Sequence, residues 1–535
     1  MIKEKVLSYL SRERLEAFFM GPIYPLVVAA LVLCGYFAAI EYYLHFVNMA
    51  LITLALCVCR TLRPTVIVLC TFVFQISREH TPATNNVTGV ASDYYFTDGR
   101  AAMLVISFAL VAVALVWFFI RNKIFSKESI KSLPLLLPSA LLAISFVLGG
   151  AFSSLWSERS LGFSLVQIVV WFIIFYLFLL GFKHERGEEI LDYFIYAASV
   201  IVIVLLAQLV EVYVSGGENM IDQDGNFIRA SISYGWGVTN TAAQSLTVLI
   251  PVLFIGAHKS RHPVYYFVMA TLAFVASILN LSRTAVIVGV PIYLASLIIT
   301  FAKSKRKKLY AIEVAVTVAA ITALILAFRE YTFPAFGNYL IRGLDDSSRF
   351  RIWRDGIDAF IDAPIFGKGF FGLNDTVHGF SNTSFIPFMM HNTPVHMLAC
   401  FGIVGFLAYS YYRISTIIPF VKRPSFAKSM LGLSLLSVLL GSLLENFVFY
   451  ILPMFAYSVI SAIAFKLVAE ENDAAKVAPE GAAPVKASKR EVAECAFESE
   501  SAAAEGSDLA EGKRSAECEI GNSLINEPTV SEDEK

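Results

Sequence analysis

Apolar residues in this chain come in runs of roughly 18–22, long enough as helices to cross a hydrocarbon core of about 30 Å. The runs predict spanning helices near 23–40, 43–59, 64–77, 101–120, 133–150, 161–182 and 191–214. A second group follows near 238–257, 263–281, 284–302, 309–328, 394–413, 428–445 and 449–468. The expected fold is therefore an all-α polytopic membrane protein of about 14 transmembrane helices. The third run is short, and 12 spans result if it and a neighbour form a re-entrant pair. Non-helical backbone at that depth requires cover from protein or a water-filled cavity. Residues 1–22 read as a cytoplasmic N-terminal segment, 23–469 as the transmembrane body and 470–535 as a tail. The charged start and the lack of a small-residue cleavage pattern make the first run a retained signal anchor.

Composition supports this picture and adds a polarity. Of 535 residues, 57% are hydrophobic and 16% charged, with a mean hydropathy of +0.66. Soluble chains carry about a quarter charged residues. The net charge of −1 conceals a split: from Glu470 onward there are 17 acids and 7 bases, and the preceding residues hold 35 bases and 26 acids. With the N-terminus cytoplasmic, the inner loops collect 24 of those 35 bases and the outer loops 11. That excess sets the orientation, with both termini inside. Of the 11 outer bases, 10 are Arg and one, Lys368, is Lys. Guanidinium forks bind phosphate oxygens bidentately and stay charged in poorly hydrated places.

The outer loops are unequal. Arg78–Arg100 and Ser215–Trp236 are moderate, whereas Arg329–Met390 has 62 residues, too many for a plain connector. Within it, Arg349–Asp362 predicts an amphipathic helix with Ile352, Trp353, Ile357, Phe360 and Ile361 on one face. Pro364 should stop that helix, and Phe366-Gly367-Lys368-Gly369-Phe370 should turn tightly. The tail is rich in Ala, Glu, Ser and Pro, which predicts a disordered acidic cytoplasmic segment. Seven cysteines form no framework, and Cys57-Val58-Cys59 lacks a second pair or a nearby histidine for a metal site. Asp345-Asp346 is the best metal candidate among the outer acids, but nearly every outer acid has an arginine to match it, so no metal or other cofactor is expected. No phosphate-binding glycine loop supports ATP-driven export, and nothing supports nucleic-acid binding.

Four places hold polar groups where apolar residues are the default. Asn280-Leu281-Ser282-Arg283-Thr284 is a tight outer junction between two helices. Arg349, Arg351 and Arg354 cluster at the start of the loop helix. His391-Asn392 enters the helix near Pro394, with His396 one turn on. Tyr234-Gly235-Trp236-Gly237-Val238-Thr239-Asn240 enters another outer helix end. A charge at such an end either snorkels to the interface or lines a site.

Taken in order, Ser282-Arg283, Arg349-x-x-x-Trp353, Asp362-Ala363-Pro364-Ile365-Phe366-Gly367-Lys368-Gly369, His391-Asn392 and Gly402-Ile403-Val404-Gly405 resemble the O-antigen ligase and polymerase superfamily. The resemblance covers about Tyr234–Arg413; Thr284 stands where a glycine is common, and Val238-Thr239-Asn240 replaces the usual Asn-Pro-Asn. It implies a glycosyltransferase of the GT-C type in a bacterial cytoplasmic membrane. Such an enzyme takes a glycan from undecaprenyl diphosphate to a hydroxyl of an acceptor glycan, lipid or protein on the outer face, without metal. A leaving diphosphate gathers negative charge and needs fixed donors, which Arg283 and Arg349 supply. The acceptor hydroxyl needs a base near neutral pKa, which makes His391 the candidate. Arg351 and Arg354 would hold phosphate, and Asn392 and Asn240 are candidate substrate contacts. The rival is a lipid-linked oligosaccharide flippase, which would place charges through the membrane depth and repeat its halves.

Overall fold

The computed structural model describes residues 11–70, 100–126, 130–131, 133–154, 156–216, 239–327, 329, 347–372, 387–422 and 424–477. The chain divides into two units, Met1–Asn472 and Asp473–Lys535, and the helical bundle belongs to the first. The tail from 478, the rest of the third run at 71–77, residues 78–99 and 217–238 and the Asp345-Asp346 pair lie outside the described residues.

All described regular structure is helical. In chain order, α1 is Arg12–Met20, α2 Ile23–Phe37, α3 Glu41–Val58, α4 Arg100–Arg121 and α5 Leu136–Leu148. Helix α6 runs over Glu158–Gly181, α7 over Gly187–Gly216, α8 over Thr239–Lys259, α9 over Pro263–Leu279 and α10 over Arg283–Lys303. Then follow α11 Lys307–Ala327, α12 Ser347–Asp362, α13 Thr393–Lys422, α14 Phe426–Gly441 and α15 Ile451–Val477. Among the described residues, eight helices are long and apolar enough to cross a membrane. A ninth results if α1 and α2, bent by 70°, make one span; α5, α9 and α14 are apolar but shorter.

Each predicted run falls on a helix, with instructive departures. The short third run meets a 3-10 helix, Arg63–Cys70, with Val66 and Ile67 fully buried. The run predicted to reach 445 stops at Gly441, so residues 442–446 form a turn that leads to the 3-10 helix Phe447–Phe449. Helix α15 continues past 470, and Glu470 accepts the Gly187 backbone N–H at the start of α7 at 3.0 Å from each carboxylate oxygen. Helix α8 is the hub, with 94% of its apolar window buried, and α4 is peripheral, with 28%. Helix α6 contains a π turn, Val169–Ile173, from which Trp171 lies over the buried guanidinium of Arg413, 4.4 Å from its ring centre. Tyr457 covers the same cation at 4.8 Å, a cation–π cage inside the bundle.

The predicted loop helix forms as α12. Ile357 and Ile361 are exposed, Gly356 and Ala359 are buried, and Gly356 sits against Val395 of α13. A Cβ at Gly356 would stand 2.6 Å from Val395, so two helices approach there only because side chains are small. After α12, the chain returns along a break in α13. Lys368 N donates to Ala399 O and Gly369 N to Cys400 O, each at 2.9 Å, while Ile403 N donates to Pro364 O at 2.8 Å. The break is at Gly402, with φ 62° and ψ −161°, a region open essentially to glycine alone. The two glycine-bearing motifs noted in the sequence, 362–369 and 402–405, are thus the two sides of one backbone seam.

The seam makes a stability prediction. A Cβ on Gly402 would lie 2.4 Å from the Ile365 carbonyl, whereas nothing lies within 4 Å of one on Gly162 in α6. Gly402→Ala adds a clash to a strained conformation that costs about 1–3 kcal/mol. It should lower the unfolding temperature of the purified protein by several degrees or prevent accumulation. Gly162→Ala should be neutral or stabilising by about 0.5–1 kcal/mol. Equal melting of the two variants would remove the seam's importance.

Candidate active site

The site is built around a residue that the sequence reading did not single out. Glu445 sits in the turn after α14, 3% exposed, and collects groups from three separate elements. Asn240, in the first turn of α8, donates Nδ2 to Oε1 at 2.8 Å. Arg349, in the first turn of α12, donates from its guanidinium to the same oxygen at 3.1 Å and to the Leu444 carbonyl at 2.8 Å. His391, just ahead of α13, places Nδ1 2.5 Å from Oε2. Hydrogen bonds to a charged group are worth about 1.5–3 kcal/mol each. A buried carboxylate is retained only when paired and bonded in this way.

Oε2 of the carboxylate can only accept, so Nδ1 carries the proton of this contact, and Nε2 is the ring nitrogen turned away from Glu445. His391 is about a third exposed while its partner is buried, so the ring bridges the packed interior and open space. Its backbone is left-handed, with φ 49°, uncommon for a residue other than glycine. That turn precedes an N-cap: the Asn392 Oδ1 accepts Val395 N at 3.0 Å, and its Nδ2 donates to Leu443 O at 3.0 Å. Thr393 N donates to Ser442 O at 2.8 Å, which ties the start of α13 to the turn carrying Glu445.

Three of the seven candidate residues therefore meet on one carboxylate, and Asn392 holds the frame beside it. Arg283 opens α10 after the N-cap Ser282, whose hydroxyl accepts Ala285 N at 3.4 Å. Helix α10 packs on α8 and α14, so Arg283 stands half-buried at the same end of the bundle as Asn240. Arg351 and Arg354 part from Arg349. At about 100° per residue they point away from it, and both are exposed. His396, one turn into α13, is fully buried against Phe449 and Phe370, with ring centres 5.0 and 5.8 Å away. The sequence did hold a sign of Glu445: it is the sole acid between residues 424 and 469. An ionisable group isolated in an apolar stretch is a site candidate in its own right.

The arrangement can take a proton at His391 Nε2, hold the resulting imidazolium against Glu445, and present guanidinium to an anion nearby. Among the described residues, no group of three or more His, Cys, Asp or Glu side chains is placed to hold a metal ion.

Comparison with known proteins bears on the same region. An uncharacterised protein of Haemophilus influenzae is 25% identical over 201 residues, which cover 34% of this chain and 49% of that one. The chain thus aligns with about half the length of that relative. A family profile described as O-antigen ligase matches residues 267–410, a stretch that includes Arg283, Arg349, His391 and Asn392 but neither Asn240 nor Glu445. That match supports a relation of residues 267–410 to the O-antigen ligase and polymerase superfamily.

Proposed function

We propose that this chain is a glycosyltransferase of the bacterial cytoplasmic membrane, acting in surface polysaccharide assembly. It moves a glycan from undecaprenyl diphosphate to a hydroxyl of an acceptor glycan, lipid or protein. The supporting observation is the His391–Glu445–Arg349 constellation at one end of an apolar helical bundle. The bundle is read as a GT-C type assembly of about 14 spans, with both termini cytoplasmic and the site on the outer face. Consistent with that reading, Asn240, Arg349, His391 and Glu445 lie at ends assigned to one side by the basic residues, and they meet.

In this mechanism, the acceptor O–H gives its proton to His391 Nε2 as its oxygen attacks the anomeric carbon. The bond from that carbon to the diphosphate oxygen breaks, and the diphosphate leaves with the electron pair. The new imidazolium is held by Glu445 and passes its proton to water. Arg283 and Arg349 stabilise the leaving diphosphate with preorganised positive charge, the kind of interaction that strengthens as the bond breaks. Arg349 is aimed by its hydrogen bonds to Glu445 and to the Leu444 carbonyl. Asn240 and Asn392 act as positioning residues, since their amides bond Glu445 and the start of α13. Arg351 and Arg354, exposed on α12, steer the charged carrier. In this reading, the arginines take the place of a metal ion.

The test is carrier-diphosphate release by Arg283→Lys and Arg349→Lys, matched for protein level. Lysine keeps the charge but loses the planar fork. Loss of one charged hydrogen bond, about 1.5–3 kcal/mol, predicts a fall of roughly 10- to 100-fold. Chelator should leave the wild type active. Full activity in both lysine variants, or a wild type silenced by chelator and restored by a divalent ion, would overturn the clamp. A carrier-linked glycan that crosses the membrane intact, with no diphosphate released, would identify a flippase instead.

A further inference from the structure

At the other end of the bundle lies a charged cavity that the proposed chemistry does not use. Asn240 begins α8, and Lys259 at its end pairs with Asp192 at the start of α7 at 3.1 Å. A helix of 21 residues is about 30 Å long. The turn before α7 is therefore a membrane's thickness away from Glu445. That turn, the end of α4, the turn after α3 and helix α1 enclose a cavity of about 570 Å³. Its walls include Arg12, Arg60, Arg121, Asn122, Glu16 and Glu185.

Positive charge is in surplus there. Arg121 donates both terminal nitrogens to the Cys57 and Cys59 carbonyls, and Arg12 donates Nε to Val58 O at 3.3 Å. Two full charges thus converge on the end of α3, which offers only about half a negative charge. Arg60 adds a third guanidinium, and its backbone N–H donates to Glu16 at 3.3 Å. Glu185 is committed elsewhere, to Arg63 at 3.3 Å and to the Thr61 hydroxyl at 2.8 Å. Three arginines and two carboxylates line the cavity, and Arg63, outside its lining, pairs with one of those carboxylates, which leaves a formal surplus of two. An independent sign points the same way: the Asn122 Nδ2 is buried on this wall and has no hydrogen-bond partner among the described residues. A surplus of guanidinium charge beside an unmatched amide donor suits a phosphate oxyanion. Helix α1, bent 70° from α2, lies across the end of the first span, where a lipid headgroup would sit.

We propose that this cavity binds a phosphate group at the membrane face opposite the transferase centre, with Arg12, Arg60 and Asn122 as ligands. The inference stands on the cavity alone and does not depend on the transferase reading. Two sources supply that chemistry, the headgroup of an anionic phospholipid and free phosphate. The experiment uses the full-length protein in detergent, with wild type, Arg12→Gln/Arg60→Gln, and Asn122→Asp. Arg121 is left in place because it caps α3. The probes are phosphatidylglycerol, phosphatidylcholine and inorganic phosphate, read by the shift in melting temperature and by phospholipid retained in native mass spectrometry. Phosphatidylglycerol should raise the melting temperature of the wild type and stay bound, phosphatidylcholine should not, and both variants should need at least about 10-fold more lipid, one charged contact's worth. Should inorganic phosphate reproduce the shift and compete the lipid off, the site reads phosphate itself; should it not, the site reads the lipid. Asn122→Asp keeps size and shape, so it tests the site even if the double arginine variant folds poorly. Equal responses of wild type and Asn122→Asp, or a wild type indifferent to both phosphatidylglycerol and phosphate, would overturn the proposal, as would equal binding of the two phospholipids.

Discussion

Transfer by His391→Ala should fall roughly 10²–10⁴-fold, the usual worth of a general base, while the variant still folds and binds the carrier-linked glycan. Its side chain is about a third exposed, so its removal opens no large cavity. The natural control is His396→Ala, since that ring is fully buried between Phe449 and Phe370. Its loss should appear in melting temperature, with turnover per folded molecule near wild type. Single-turnover release of carrier diphosphate at saturating substrate measures the difference. Normal turnover in His391→Ala would end its assignment as the base, and equal losses at both positions would show that burial, not position, is being measured.

Glu445→Gln should be nearly as damaging, although this side chain is too buried to reach a substrate. The change keeps the shape and removes the charge on which His391 and Arg349 both depend. Loss of two charged hydrogen bonds, at about 1.5–3 kcal/mol each, predicts roughly 10²–10⁴-fold in turnover. A positioning role has a signature that simple unfolding lacks. On the folded fraction, kcat should fall with KM for the carrier-linked glycan little changed, and Glu445→Asp should recover part of the loss. The double variant His391→Ala/Glu445→Gln should be scarcely worse than His391→Ala, because residues that act as a unit are not additive. Independent, multiplying losses would separate the two residues and leave Glu445 with a purely structural part.

The legibility of this site in the sequence was uneven, and the reasons are physical. Arg283, Arg349 and His391 stand out because ionisable groups at the ends of apolar runs are conspicuous against an apolar background. The arginine cluster at 349–354 reads as one feature along the chain, yet the helix divides it: Arg349 turns inward to Glu445, and Arg351 and Arg354 stay exposed. Asn392 also holds the frame, which the chain alone does not show: its amide caps α13 and bonds the Leu443 carbonyl. The spacing in α12 shows an apolar face but not what meets it: Ile357 and Ile361 are exposed, and Gly356 sits against Val395 of α13, because a close helix crossing selects for small side chains.

What the sequence by itself determined was the all-helical character with membrane-length apolar runs, and that the junctions at Asn240, Arg349 and His391 share an end of the bundle. Run length and hydropathy decide the first, since a helix must satisfy its own backbone in lipid. Alternation of successive spans decides the second. Tertiary structure alone decided which junctions touch. Glu445 meets His391, Arg349 and Asn240 across 54, 96 and 205 residues, separations over which no local periodicity carries information. The end of α14 is partly written in the chain, since Gly441 and Ser442 interrupt the apolar run. Its use is not. A Cβ on Gly441 would lie 2.5 Å from the Gln244 side chain of α8, so glycine lets the two helices close there. The turn that follows carries Glu445 to the arginine and the histidine.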